Sequence, residues 1–237
     1  MKVFKDIKKN VKQQLPDILK LRNSAQKKPD GSYVTGGDLL ADSIVAAVIR
    51  QHNPAAIVVS EESTQEELDY DAISTNDIYV VDPIDGTENF TSGLPEWGIS
   101  VSHYSKGKHA ASMLWCPEMD LWLDSKKPKI MPTTRSRIAG ISSSMRTEDL
   151  MNVTAGYEYR MFGCCVYSMI RTIRGSFLSF ENPRRANSWD ILAGLNIARI
   201  NGLSVKVNGY DYTGDYLHSS VKYSFRIEHS VQHANQD

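Results

Sequence analysis

The run Asp82-Pro83-Ile84-Asp85-Gly86-Thr87 brings together residue types that can bind a cation and an anion side by side. An apolar, β-branched stretch, Ile78 to Val81, delivers Asp82 at its carboxyl end, and Asp85 follows three residues on. Pro83 stiffens the turn expected here and removes a backbone donor. Two carboxylates at this offset can face one hard divalent cation or bridge two. Magnesium takes oxygen ligands at about 2.0–2.1 Å and usually keeps several waters. Gly86 lets the backbone approach a ligand closely. If Thr87 opens a short helix, the N–H groups of Gly86 and Thr87 form an anion cradle. A cation site beside such a cradle is what a phosphate group needs.

Other acids stand at comparable places. Glu61-Glu62 ends the apolar run Ala55 to Ser60. If that strand lies beside Ile78–Val81, Glu61 and Asp82 converge at one sheet edge. Asp190, in Ser188-Trp189-Asp190, opens a helix, where the dipole favours an acid. Four such carboxylates without enough cations would repel and titrate upward, and divalent ions resolve that conflict. Each acid has an ordinary explanation by itself. Asp38 is an N-terminal helix cap, Glu61-Glu62 a solvated strand end, Asp82 to Gly86 a turn, Asp190 a helix-start acid, and Lys28 a surface lysine. These explanations fail jointly, because the acids follow buried strands or open apolar helices that a compact fold can focus on one spot.

The elements that must do this focusing are legible in the spacing of apolar residues. Val3, Ile7, Val11, Leu15, Ile18 and Leu19 predict an amphipathic helix over 2–25 with Pro16 as a kink. Residues 27–36 read as a turn-rich loop, and a largely apolar helix runs from Asp38 to Asn53-Pro54. Strands are expected at 55–60, 78–81, 97–104 and 109–117, with 119–124 able to pair with the last of these. Residues 138–144 read as a strand, 161–175 as a helix, 177–181 as a strand, 188–202 as a helix ending at Gly202, and 203–209 as a late strand. This order predicts stacked helix and sheet layers in one domain, 1–237, with subdomains 1–130 and 131–237. The boundary is soft and lies between Lys126 and Arg135.

Composition narrows the function. The 237 residues carry 27 Lys+Arg and 28 Asp+Glu, a formal net charge of -1. That balance gives no general attraction to nucleic acid or membrane. No segment approaches the ~20 apolar residues that cross a bilayer, and the charged start Met1 to Lys20 lacks the apolar core of a signal peptide. Cys116, Cys164 and Cys165 make an odd count, with two of them adjacent, so no disulfide framework is expected and a reducing cytoplasm is the simplest setting. His103 and His109 lack ligand spacing on a helix, and no Cys-x-x-Cys is present, which argues against structural zinc.

Ser60-Glu61-Glu62-Ser63, Asp82-Pro83-Ile84-Asp85-Gly86-Thr87 and Trp189-Asp190-Ile191-Leu192-Ala193-Gly194, in that order, resemble the inositol monophosphatase superfamily. That group includes nucleotide bisphosphate phosphatases, histidinol phosphatases and fructose bisphosphatases. Lys28-Pro29-Asp30-Gly31-Ser32-Tyr33-Val34-Thr35-Gly36-Gly37-Asp38 resembles its N-terminal signature, and the matches span about residues 5 to 210.

The resemblance implies an α+β fold, a layered αβαβα sandwich, and a magnesium-dependent phosphomonoesterase using two to three Mg2+ ions. By position, Glu61, Asp82 and the Ile84 carbonyl hold a first ion, and Asp82, Asp85 and Asp190 a second. A third, weaker ion touches Glu61. The first ion lowers the pKa of a water, which Thr87, bonded to Asp38, orients and deprotonates. Gly86 and Thr87 amides hold phosphate oxygens. Gly163 and Cys164 contact the substrate alcohol, and lithium is expected to inhibit.

The departures are Ser60 in place of the usual Gly, Glu88 after Thr87, an added negative charge that repels highly charged substrates or simply faces solvent, and the Cys164-Cys165 pair, read as buried rather than catalytic. Residues 181–187 frame the organic part of the substrate. Arg184 and Arg185 there suit a second phosphate or carboxylate, or are surface charges. A polyol-like monophosphate is the favoured substrate, with a 3′(2′),5′-bisphosphate nucleotide or histidinol phosphate as alternatives. No nucleic acid polymer or membrane partner is expected, and a homodimer stays open. A binding or regulatory protein on the same fold is the rival from another class.

Overall fold

A computed structural model describes residues 1–28, 31, 33–63, 68–127, 133–151 and 155–231. Pro29, Asp30 and Ser32 of the N-terminal signature, and the middle of the expected subdomain boundary, 128–132, lie outside the described residues.

Helix α1 (Lys2–Lys20) buries Val3, Phe4, Ile7, Val11 and Ile18 along one stripe and exposes Lys2, Lys5, Lys9 and Lys12. Pro16 lies within it on the exposed side, where the loss of one N–H bond is tolerated. The helix stops at Lys20 rather than near residue 25 and passes into a 3-10 turn, Leu21–Asn23. Ser24 explains the stop: its hydroxyl donates to the Leu21 carbonyl at 2.6 Å and accepts the Gly36 amide at 2.7 Å. Two short strands, β1 (Gln26–Lys27) and β2 (Tyr33–Val34), pair antiparallel where the sequence predicts only a loop. Helix α2 (Gly36–His52) starts from a capping box. Thr35 Oγ1 accepts the Gly37 and Asp38 amides, and the Asp38 carboxylate accepts the Thr35 amide at 2.8 Å.

The first large sheet follows, with β3 (Ile57–Ser60), β4 (Asp77–Asp85), β5 (Gly98–Ser105), β6 (Lys108–Cys116) and β7 (Leu121–Asp124) in that order. Strands β3 and β4 are parallel and the other pairs antiparallel. The short helices α3 (Tyr70–Thr75) and α4 (Thr87–Thr91) flank β4. The later part contains β8 (Thr133–Thr134), β9 (Ile138–Ile141), α5 (Thr147–Leu150), β10 (Glu158–Arg160), α6 (Cys165–Ile173), β11 (Ser179–Ala186) and α7 (Ser188–Ile200). It closes with β12 (Ser204–Val207), β13 (Tyr210–Asp211), β14 (Tyr223–Glu228) and β15 (Ser230–Val231). Its sheet has the order β10-β9-β11-β14-β12-β13, and β8 pairs separately with β15. Strand β14 was not foreseen, although Tyr223, Phe225 and Ile227 alternate inward with Ser224, Arg226 and Glu228.

Helix α2 packs on one face of the first sheet, against β4, and α1 packs beside α2. On the sheet's other face α6 and α7 fill the space to the second sheet. Two apolar clusters follow from this. One joins α1 and α2 to Tyr79, Val81, Ile84 and Trp97. The other joins Val80, Tyr104 and Leu114 to α6, α7 and Phe180, Phe225 and Ile227 of the second sheet. The architecture is the layered α+β sandwich that the sequence implies. Gly98 sets how closely β5 meets α6: a Cβ there would lie 2.3 Å from Val166 Cγ1. That approach brings the first turn of α6 against the end of β4.

Candidate active site

The acidic segment expected as a turn is the bulged end of β4. Asp82 pairs with Ser100 and Asp85 with Gly98, so three steps on β4 oppose two on β5. In a regular strand, residues three apart point to opposite faces. The extra residue cancels that alternation. Ile84 packs into the α1–α2 cluster, while Asp82 and Asp85 both turn toward α6 and α7. Pro83, which has no N–H, sits in the bulge where a ladder bond is already lost.

Parallel pairing sets Ser60 opposite Val81, and the Glu61 amide donates to the Val81 carbonyl at 3.2 Å. Glu61 therefore lies beside Asp82. Helix α7 supplies the third acid, since Asp190 occupies the third position of its capping box and accepts the Asn187 amide at 2.9 Å. Ser100 Oγ donates to the Trp189 carbonyl at 3.0 Å, which fixes this helix start over the bulge. Carboxylate oxygens of Glu61, Asp82 and Asp190 lie within 4.8 Å of one another. Asp85 stands outside that group. Its Oδ2 accepts the Cys164 thiol at 2.9 Å and the Val166 amide at 2.5 Å.

The electrostatics are those of crowded acids. Burial, then the charge of Asp190, raises Glu61 to about 7. Burial, then Asp85, raises Asp190 to about 7. Burial lifts Asp85 to about 6 and raises Asp82 as well. Lys28 is the counter-ion, with Nζ 3.1 Å from Glu61 and 2.8 Å from Glu62. Burial pulls its pKa down, but those two carboxylates outweigh it and the net shift is upward. Lys28, which alone reads as a surface lysine, belongs to the site. One ammonium does not balance this cluster. Asp82 Oδ1 accepts the Ile84 amide at 3.1 Å, and its Oδ2 is buried without a partner among the described residues. A sealed carboxylate oxygen without a partner, on an acid gathered with two further carboxylates, fits a hard divalent cation with oxygen ligands.

The other expected residues fall around this centre. Thr87 Oγ1 lies 3.2 Å from Asp38 Oδ1 and 3.2 Å from the Ile84 carbonyl. Asp38 thus serves both as the capping-box acid and as the partner of Thr87. Gly86 precedes α4 at φ 85, and a Cβ there would meet Cys164 Cβ at 3.1 Å and the Gly163 carbonyl at 3.2 Å. Glu88 is exposed. Gly163, Cys164 and Arg185 line a cavity of about 200 Å3 that Asp85 and Asp190 also line. Arg184 does not reach it, because its guanidinium is held by Glu148 and Asp149 at 2.6 and 2.5 Å. The sequence reading missed Ser142, Ser143 and Ser144 in the cavity wall. A run of hydroxyls directly after the apolar strand β9 was the available signal. Burial raises the Cys164 thiol, with Asp85 adding to the effect, so this cysteine is a hydrogen-bond donor and not a thiolate.

The family model for the inositol monophosphatase family matches residues 1–225. The chain belongs to the inositol monophosphatase family. Members of this family are magnesium-dependent phosphatases. An inositol-1-monophosphatase of Mesorhizobium japonicum is 26% identical over 193 residues, 73% of this chain and 71% of that protein. The Nus factor SuhB of Escherichia coli (strain K12) is 31% identical over 94 residues, but these are 39% of this chain and only 33% of that protein. Among solved structures, an IMPase/NADP phosphatase with NADP and Ca2+ superposes with a TM-score of 0.81 at 18% identity, covering 96% of this chain and 89% of that one. A staphylococcal inositol monophosphatase-1 gives 0.78 at 19%, covering 93% and 86%. At these identities the structural likeness speaks for the fold.

Gly86→Ala is expected to lower stability by about 1–3 kcal/mol, since φ 85 and the Cys164 contact both oppose a Cβ. Melting in chelator and phosphate release should both decline. An unchanged melting temperature would show that the α4 entry is not constrained in this way.

Proposed function

We propose that this chain is a magnesium-dependent phosphomonoesterase acting on a small phosphorylated alcohol. The observation that carries this reading is the under-neutralised trio Glu61, Asp82 and Asp190, to which Asp82 brings a buried oxygen without a partner among the described residues. Glu61, Asp82, Asp190, Asp85 and the Ile84 carbonyl are the groups to hold the metal. A divalent ion there supplies Lewis acidity toward phosphoryl oxygens and makes water more acidic.

The remaining roles belong to the chain. Thr87 Oγ1 orients the attacking water and takes its proton while giving its own to Asp38 Oδ1, 3.2 Å away. Burial raises the Asp38 pKa, which strengthens it as an acceptor. The Gly86 and Thr87 amides face the phosphate at the start of α4. The bulge and the α6 contacts preset this geometry, so catalysis is positional and electrostatic.

Phosphate release from inositol 1-phosphate, histidinol phosphate, glycerol 2-phosphate and adenosine 3′,5′-bisphosphate, with magnesium and with chelator, tests the reading. Release in magnesium that chelator abolishes is expected. Silence across the panel would favour a binding role, the reading that similarity to a Nus factor keeps in play.

A further inference from the structure

The cavity beside the acidic trio has a chemically divided lining. Asp85 and Asp190 line it together with Ser142, Ser144, Asn182 and Arg185. The hydroxyls and the amide form a neutral chain: Ser142 Oγ and Ser144 Oγ are 2.9 Å apart, and Ser144 donates to Asn182 Oδ1 at 3.1 Å. Arg185 differs from them. It is exposed, it lines the cavity, and it forms no ion pair or side-chain hydrogen bond with a described residue. Three other cations are already matched. Glu61 and Glu62 hold Lys28, Glu148 and Asp149 hold Arg184, and Glu181 and Glu228 hold Arg226.

The backbone separates the two arginines. Strand β11 changes register between Asn182 and Ala186, and Arg185 lies there at φ 79, in the left-handed region that few non-glycine residues adopt. Arg184 is bound to the carboxylates of α5, and Arg185 is left to the cavity. A phosphomonoester with a second negative group must place that group away from Asp85 and Asp190, which repel it. The free guanidinium, a planar fork suited to two oxygens, is the partner available. The cavity is smaller than the ~300–1,000 Å3 typical of drug-sized ligands, so the organic part is small.

Resting on the hydrolase reading above, we propose that Arg185 is a specificity residue. It selects small phosphomonoesters whose alcohol part carries a second anionic group, a phosphate or a carboxylate. The test is the ratio of kcat/KM values within matched pairs. Glucose 1,6-bisphosphate against glucose 1-phosphate reads a second phosphate, and 2-phosphoglycerate against glycerol 2-phosphate reads a carboxylate. Arg185→Asn and Arg185→Gly both remove the charge with residues that accept a left-handed backbone. Because each ratio is taken on one preparation, it does not depend on how much of a variant folds.

At least one ratio is expected to favour the second anion in the wild type and to fall roughly 10- to 150-fold in both variants, mainly through KM. The pair that responds identifies the anion. Ratios that stay where they were in both variants would overturn the assignment while leaving the hydrolase reading intact. A wild type that releases phosphate from none of the four in magnesium would also overturn the assignment, and the panel given for the hydrolase reading, run on the same preparation, decides whether that reading falls with it.

Discussion

Asp82→Asn abolishes magnesium-dependent phosphate release, with a loss of about 10³-fold or more expected from removing a charge at the centre of the site. Asn keeps the volume and can keep the Ile84 amide bond to the first oxygen. It replaces the other, partnerless oxygen with a neutral group or an N–H donor, which repels a cation. The same change relieves repulsion, because Asp82 is buried among Glu61, Asp85 and Asp190 and its pKa is raised by burial and by them. In chelator the variant should therefore melt no lower than the wild type. Magnesium at a hundred times its dissociation constant adds about 2.7 kcal/mol to the wild type, and the variant should gain far less. Melting curves with and without magnesium, alongside phosphate release, separate a metal role from a folding role. Full turnover by the variant would remove the mechanism. A variant unfolded in chelator would make Asp82 structural.

The second large effect concerns metal-free stability against pH. Glu61 and Asp190 titrate near 7 and Asp85 near 6 in the folded chain, above the ~4 of carboxylates in an unfolded chain. Between about pH 4 and 7 the unfolded chain has released these protons and the folded chain retains them. Folding takes up protons in that window, so their stabilising contribution is complete below pH 4 and lost as pH rises through 7. His109 acts in the opposite sense. Burial holds it down to about 4 in the folded chain, so its contribution is present above its unfolded value and lost as pH falls. The comparator is Glu61→Gln/Asp190→Asn, which keeps His109 and lacks two of the acids. In chelator, the melting temperature of the wild type minus that of this variant should fall steadily from pH 5 to 7.5. Magnesium should flatten or reverse the trend for the wild type, because metal and protons compete for the same oxygens. Parallel curves for the two proteins in chelator would contradict the crowded-acid picture.

Much of this site could be read before any fold was known. Glu61, Asp82 and Asp190 each terminate or open an apolar element, and parallel pairing of β3 with β4 needs only that Ser60 meet Val81 for Glu61 to fall beside Asp82. The capping box at Thr35 and Asp38 is local chemistry, as is the stripe of α1. Such features depend on residues close in sequence, or on a strand end that periodicity already marks.

What escaped the sequence is whatever a distant partner decides. Asp82-Pro83-Ile84-Asp85 is as compatible with a turn as with a bulge. Pairing with Ser100 and Gly98 makes it a bulge, and only the bulge turns both acids to one face. Cys164 carries no mark of its contact with Asp85, 79 residues away. Arg184 and Arg185 are adjacent and chemically identical. One is bound by carboxylates more than thirty positions earlier, and the other is left facing a cavity. The sequence by itself determined which acids this chain has, and that they sit at the ends of buried elements. Only the tertiary structure decided which oxygens are shared, which are already bonded and which cation stays free. Those outcomes depend on register and close packing between segments whose order along the chain does not encode their distance.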